Sequence, residues 1–101
     1  GYTIHYVGQK AYNGVALLTR TPLNILSTKL SGDDTDTQAR FIEAEINNTR
    51  IINIYLPNGN PVGTEKFDYK INWMKRLYAH LTTLIHARIP FIVMGDFNVI
   101  P

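Results

Sequence analysis

The sequence predicts an α+β fold in which sheet predominates, on three observations. Short runs of two-residue alternation or unbroken apolarity recur along the chain, a single segment carries a three-to-four-residue apolar period, and Pro, Gly and Asn clusters separate them. Tyr2, Ile4 and Tyr6 alternate with Thr3, His5 and Val7 as in a half-buried strand, and Gly8 to Gly14 reads as a polar loop. Val15 to Thr19 is a mostly apolar strand; after Pro22, the aliphatic and β-branched content of Leu23 to Leu30 suits another. A turn-rich loop, Ser31 to Thr37, leads to Arg40–Ile46, and Asn47-Asn48 joins this run to Arg50–Leu56. Those two runs form a β-hairpin, because asparagine tolerates the positive φ of a tight connection.

Pro57 to Gly63 propagates neither helix nor strand, so a substantial loop follows the hairpin. Thr64 can cap a helix whose apolar face is expected at Phe67, Ile71, Met74, Tyr78, Leu81 and Ile85, running to about His86 and stopped by Pro90. Phe91-Ile92-Val93-Met94 is an unbroken apolar run, expected as a central strand covered on both faces, with Gly95-Asp96-Phe97-Asn98 at its carboxyl end.

At 101 residues, with 45% hydrophobic and 18% charged positions, the chain is one domain or part of one, and disorder is excluded. A net charge of +2 permits a nucleic-acid partner without requiring one. The absence of cysteine excludes a disulfide scaffold, a thiol nucleophile and a cysteine-ligated metal, and suits a reducing compartment; a cytoplasmic location is expected. No stretch approaches a membrane span and the start lacks the pattern of a signal peptide, so no membrane partner is expected. A start without methionine and an apolar end at Ile100-Pro101 read as those of an internal fragment.

Chemistry concentrates in two blocks. In an extended segment Asp96 and Asn98 project to one side, where the carboxylate can accept a proton from an attacking water and the amide can orient that water or an oxyanion. The plainer alternative is a pair of turn residues satisfying the backbone. Tyr55, ending a strand before the rigid turn at Pro57-Asn58-Gly59, can donate a hydrogen bond to a phosphate oxygen or simply pack its ring. Lys66, at the start of the helix, can reach phosphate or stay solvated, as Lys75 and Arg76 are expected to. Tyr12-Asn13-Gly14 can press a ring against nucleic acid or close a turn. Asp33, Asp34 and Asp36 lack calcium-loop spacing and read as a solvated loop; Asn47-Asn48-Thr49 reads as a turn rather than a glycosylation site; His5, His80 and His86 are too scattered for a metal motif.

Five blocks, Tyr12–Leu18, Gln38–Ile42, Asn53–Gly59, Lys66–Lys70 with Trp73-Met74, and Phe91–Val99, resemble in order and spacing the exodeoxyribonuclease III group of abasic-site endonucleases. That group lies within the endonuclease/exonuclease/phosphatase superfamily, which includes deoxyribonuclease I. The resemblance implies a piece of a four-layer α/β sandwich, mostly antiparallel strands with one long helix on an outer face, and makes residues 1–101 the central fragment of a single domain. It implies a parent that cuts the phosphodiester 5′ to an abasic site and removes nucleotides from 3′ ends of duplex DNA, using Mg²⁺ or Mn²⁺. By the same resemblance Tyr55 stabilises the attacked phosphate, Asp96 activates or orients the water, and Asn98 holds phosphate or water beside it. Asn58 and Lys66 fall where family members contact the DNA backbone, and Tyr12 and Asn13 match a loop lying along DNA near the abasic site. The family's magnesium-binding glutamate block would precede Gly1 and its aspartate-histidine block would follow Pro101; Glu43 and Glu45 match no metal-binding block, so no metal ligand is assigned. The fragment alone is expected to be inactive and to self-associate through an exposed sheet face. A phosphomonoesterase of the same superfamily acting on inositol phosphates or lipids, or a non-catalytic binding module, are the alternatives, and the Asn-Gly loop followed by the Lys-Phe helix favours the DNA-repair branch.

Overall fold

A computed structural model describes residues 3–8, 14–19, 23–60 and 62–98, with the side chains of Ile4 and Leu17 alone in the first two strands. Strands β1 (Thr3–Gly8) and β2 (Gly14–Thr19) pair antiparallel. Strands β3 (Asn24–Ser27), β4 (Phe41–Ile46), β5 (Thr49–Tyr55) and β6 (Phe91–Asp96) form a second sheet in that order, antiparallel until β6 joins β5 in parallel. The helix α1 (Glu65–His86) supplies the crossover that a parallel pair needs. Among the described residues no helix is long and apolar enough to cross a membrane.

Local sequence explains most boundaries. Asn47 and Asn48 take φ of 50° and 63°, the two positive values of the turn whose twist matches a hairpin, and set Ile46 opposite Thr49. Thr64 caps α1, its Oγ1 accepting from the Phe67 amide at 3.4 Å. The helix stops ahead of Pro90. Arg88 turns left-handed at φ 58°, its amide bonds the Ile85 carbonyl and the Ile89 amide bonds the Leu84 carbonyl, both at 3.0 Å. That is a Schellman closure, with Leu84 and Ile89 both in the core beneath it.

The four-stranded sheet has a hydrophobic cluster on each face. Phe41, Ile52, Ile54 and Leu56 face α1 with Trp73 and Leu84, while Ile42 and Ala44 pack against Leu17 of β2. Alternation along β4 and β5 produces this division. The face of α1 that packs is only partly the expected one: Leu81 turns inward and Phe67 is half-buried, but Ile71, Met74, Tyr78 and Ile85 are exposed, Tyr78 by 75%, while Tyr69, Trp73, Leu77 and Leu84 turn inward with the side chains of Arg76 and His80. Apolar bulk and polar partners on the sheet side both favour this face. β6 is likewise not covered on both faces. Among the described residues it is the last strand of its sheet; Phe91 and Val93 meet the helix cluster, but Ile92 is 52% and Met94 39% exposed, because the β1–β2 hairpin lies over β4 and β5.

Candidate active site

The carboxyl ends of β5 and β6 form one edge. Tyr55 and Asp96 are register partners there, and the ladder runs one step further, with the Leu56 amide donating to the Asp96 carbonyl at 2.8 Å. Gly95 makes this possible. Its φ is +132°, and a Cβ at that position would lie 2.0 Å from the Ile54 carbonyl oxygen, so only glycine lets β6 approach β5 this closely. Asp96 and Asn98 are brought together by a turn and not by the extended segment expected. Asn98 has φ 50°, its amide donates to Asp96 Oδ1 at 2.8 Å, and its Nδ2 donates to the Leu56 carbonyl at 3.3 Å. The backbone-satisfying role and the shared edge therefore coexist in the same pair. Asp96 is exposed, and among the described residues its Oδ2 has no partner.

Asn58 and Lys66 meet Tyr55 across a cleft of about 470 Å³, which Gln38, Arg40 and Tyr69 also line. The loop after β5 lies tight on the helix: Pro57 is fully buried, and a Cβ on Gly59 would fall 2.8 Å from Lys70 Cδ. Asn58 folds over its own loop, Oδ1 accepting from the Asn60 amide at 3.0 Å, and stays exposed at the rim. Lys66, in the first turn of α1, is exposed as well. Tyr12 and Asn13 lie outside the described residues.

Behind the cleft are residues that sequence reasoning passed over. Arg76 is buried and not solvated: Nη2 donates to the Leu30 carbonyl at 2.8 Å, Nε to the Ser31 carbonyl at 3.2 Å, and Nη1 to Asp36 Oδ2 at 2.8 Å. Asp36 is therefore not part of a solvated loop. Its Oδ2 also accepts the Tyr69 hydroxyl at 2.7 Å, and its Oδ1 accepts the Gln38 amide at 3.0 Å. Burial pushes the Asp36 carboxyl up, but hydrogen bonds from Arg76, the Gln38 amide and Tyr69 more than reverse this and hold it below its ordinary value. Burial first, and then the bond to Asp36, hold the Tyr69 phenol well above the usual range, so it remains a donor. The segment so anchored delivers Arg40 to the cleft, where its guanidinium carbon stands 4.8 Å from the Tyr55 ring centroid and 5.8 Å from that of Tyr69.

Further along α1, His80 faces the buried Glu43, with Nε2 and Oε1 2.5 Å apart, and Arg50 bonds the other oxygen. Burial raises the Glu43 carboxyl, while the hydrogen bonds from His80 and Arg50 and their charges bring it below its ordinary value. His80 thus belongs to a carboxylate, not to a metal motif. A tryptophan stripe that also carries an arginine and a histidine, opposite strands and loops bearing Asp36 and Glu43, was the signal available for both pairs.

Among the described residues no three acidic, histidine or cysteine side chains gather where they could hold a metal ion. Mg²⁺ and Mn²⁺ require several oxygen ligands, so Asp96 with its neighbouring amides does not by itself fit such a cation.

The sequence profile of the Endonuclease/Exonuclease/phosphatase family matches residues 1–101. A DNA-(apurinic or apyrimidinic site) endonuclease of Dictyostelium discoideum is 32% identical over 102 residues, covering 98% of this chain and 28% of that protein. Exodeoxyribonuclease III of Haemophilus influenzae is 33% identical over 106 residues, covering 100% of this chain and 40% of its own length. The solved structure of a 3′-5′ exonuclease from Neisseria meningitidis superposes with a TM-score of 0.90 at 33% identity, over 100% of this chain and 40% of that one. The chain spans less than half the length of these relatives. Its α+β architecture is the deoxyribonuclease I-like one that the sequence implied.

Proposed function

The chain belongs to the endonuclease/exonuclease/phosphatase family, and from that premise we propose that its full-length protein hydrolyses phosphodiesters of duplex DNA at abasic sites and 3′ ends. Residues 1–101 make the central part of a single catalytic domain in this reading. The observation that carries it is the register pairing of Tyr55 with Asp96 at the ends of adjacent parallel strands, beside a cleft rimmed by Asn58 and Lys66. Asp96 accepts the proton of the attacking water at its exposed carboxylate, and the Asn98 amide on Oδ1 fixes that carboxylate. The Tyr55 hydroxyl donates to a phosphate oxygen as charge develops on it. Asn98 steadies phosphate or water, Asn58 and Lys66 bind the DNA backbone, and Tyr12 and Asn13 lie along it. The cation of this reading, Mg²⁺ or Mn²⁺, needs ligands beyond the described residues.

The decisive substitution in the full-length protein is Asp96→Asn, which keeps shape and removes the base. Cleavage of an abasic-site duplex should slow by about 10²–10⁴-fold while DNA affinity holds; near-normal turnover refutes the assignment. Self-association of the 101-residue chain belongs to the same reading, through the outer face of β6, where Ile92 and Met94 are exposed and Phe97 follows them at 45%. Light scattering that finds a stable monomer would refute that part.

A further inference from the structure

Tyr55 is a member of the proposed site whose aromatic ring must be held for its hydroxyl to be aimed; the ring packs in part against the cluster of Leu17, Ile42 and Ala44 and in part lines the cleft. A tyrosine at a strand end turns about χ1 and χ2, and each freed rotor spreads the hydroxyl over positions in which it misses a phosphate. Arg40 meets that need. The Tyr55 amide donates to the Arg40 carbonyl at 2.9 Å, and Arg40 Nη1 donates back to the Tyr55 carbonyl at 3.1 Å, so the two backbones are locked before the side chains meet. Arg40 Nε is spent on Gln38 Oε1 at 2.6 Å. These two bonds fix the guanidinium plane 4.8 Å from the Tyr55 ring centroid, within cation–π range, with the Tyr69 ring at 5.8 Å. Tyr69 is itself immobilised by Asp36, which Arg76 anchors.

We infer that Arg40 is a positioning residue for Tyr55: its guanidinium, oriented by Gln38 and supported by Tyr69, fixes the ring so that the phenol hydroxyl stays aimed at the site. This rests on the reading that the Tyr55 hydroxyl meets the phosphate. A direct Arg40–phosphate contact is the competing role, and the two separate on geometry. Positioning needs the planar fork that bonds Gln38 and the Tyr55 carbonyl at once; with Nε and Nη1 so engaged, a phosphate contact would rest on Nη2 and the charge, which lysine retains.

The test uses the full-length protein with Arg40→Met, Arg40→Lys, Tyr55→Phe and the Met/Phe double variant, assayed on an abasic-site duplex and by NMR of ring-labelled tyrosine. Positioning predicts a kcat lower by about 10- to 100-fold with little change in KM, no rescue by lysine, and no further loss when Arg40→Met is added to Tyr55→Phe. It also predicts that the Tyr55 ring resonances shift and average in Arg40→Met. A raised KM restored by lysine, an additive loss in the double variant, or unmoved Tyr55 ring signals would each overturn it. Arg40→Lys gives the same NMR readout should the methionine variant not fold. Failure of the functional reading looks different: the full-length protein would leave abasic DNA intact while the Tyr55 ring still responded to Arg40, and the coupling would stand without that chemistry.

Discussion

Two stripes run down α1, both carry apolar side chains, and one of them faces water. Ile71, Met74, Tyr78 and Ile85 are exposed, while the stripe that packs combines Trp73 and Leu84 with Arg76 and His80. Apolar burial already favours the inner stripe, where Tyr69, Leu77 and Leu81 pack as well, each buried aliphatic side chain being worth about 1.5–3 kcal/mol. The pair of carboxylates beneath the helix favours the same orientation. Asp36 and Glu43 are buried acids, and if α1 turned its outer stripe inward Asp36 would lose Arg76 and Glu43 would lose His80, keeping Arg50 alone. The inner stripe thus supplies apolar bulk and the partners of both carboxylates together, and the outer stripe supplies bulk alone.

Trp73→Ala tests the difference most severely. Its indole is 1% exposed at the centre of the helix cluster, and its loss should lower stability by about 3–5 kcal/mol in denaturant unfolding. Glu43→Gln should cost about 1–3 kcal/mol, because Arg50 and His80 then share a neutral acceptor. It should also flatten the acid limb of the stability curve. The folded Glu43 and Asp36 carboxyls both lie below their ordinary values of 4.5 and 3.8, so the unfolded chain binds protons first. Their contribution is complete above those values and drains away as pH falls through the folded ones; equal slopes for wild type and Glu43→Gln would contradict this. Met74→Gln, on the outer stripe, should change stability by no more than about 0.5 kcal/mol. A cost approaching that of Trp73→Ala would mean that the stripes are assigned the wrong way round.

The features legible in the sequence were those set by a few adjacent residues. Asn47-Asn48 announced its hairpin, Thr64 its helix, and Gly95-Asp96-Phe97-Asn98 the end of an apolar strand, because backbone geometry at such points depends on local chemistry. That Arg76 and His80 lie on the packed side depended on Asp36 and Glu43, distant in sequence and read as loop and strand residues without partners. Arg40 stood inside a block that resembled the family, yet nothing near it in sequence shows a guanidinium lying over Tyr55; that requires β4 beside β5 and the loop before β4 pinned to α1.

The hairpin and the parallel pair also differ in when they can form. β4 and β5 are joined by two residues and can zip together as soon as both have been synthesised, whereas β6 reaches β5 only after the whole of α1 has been made and folded back. Closing that longer loop costs entropy before its contacts return anything, so the Tyr55–Asp96 edge assembles late. Until then one long side of β5 presents unpaired amides and carbonyls to whatever strand is nearby. The parallel register that unites the candidate catalytic pair is thus also what makes it the last part of the sheet to exist.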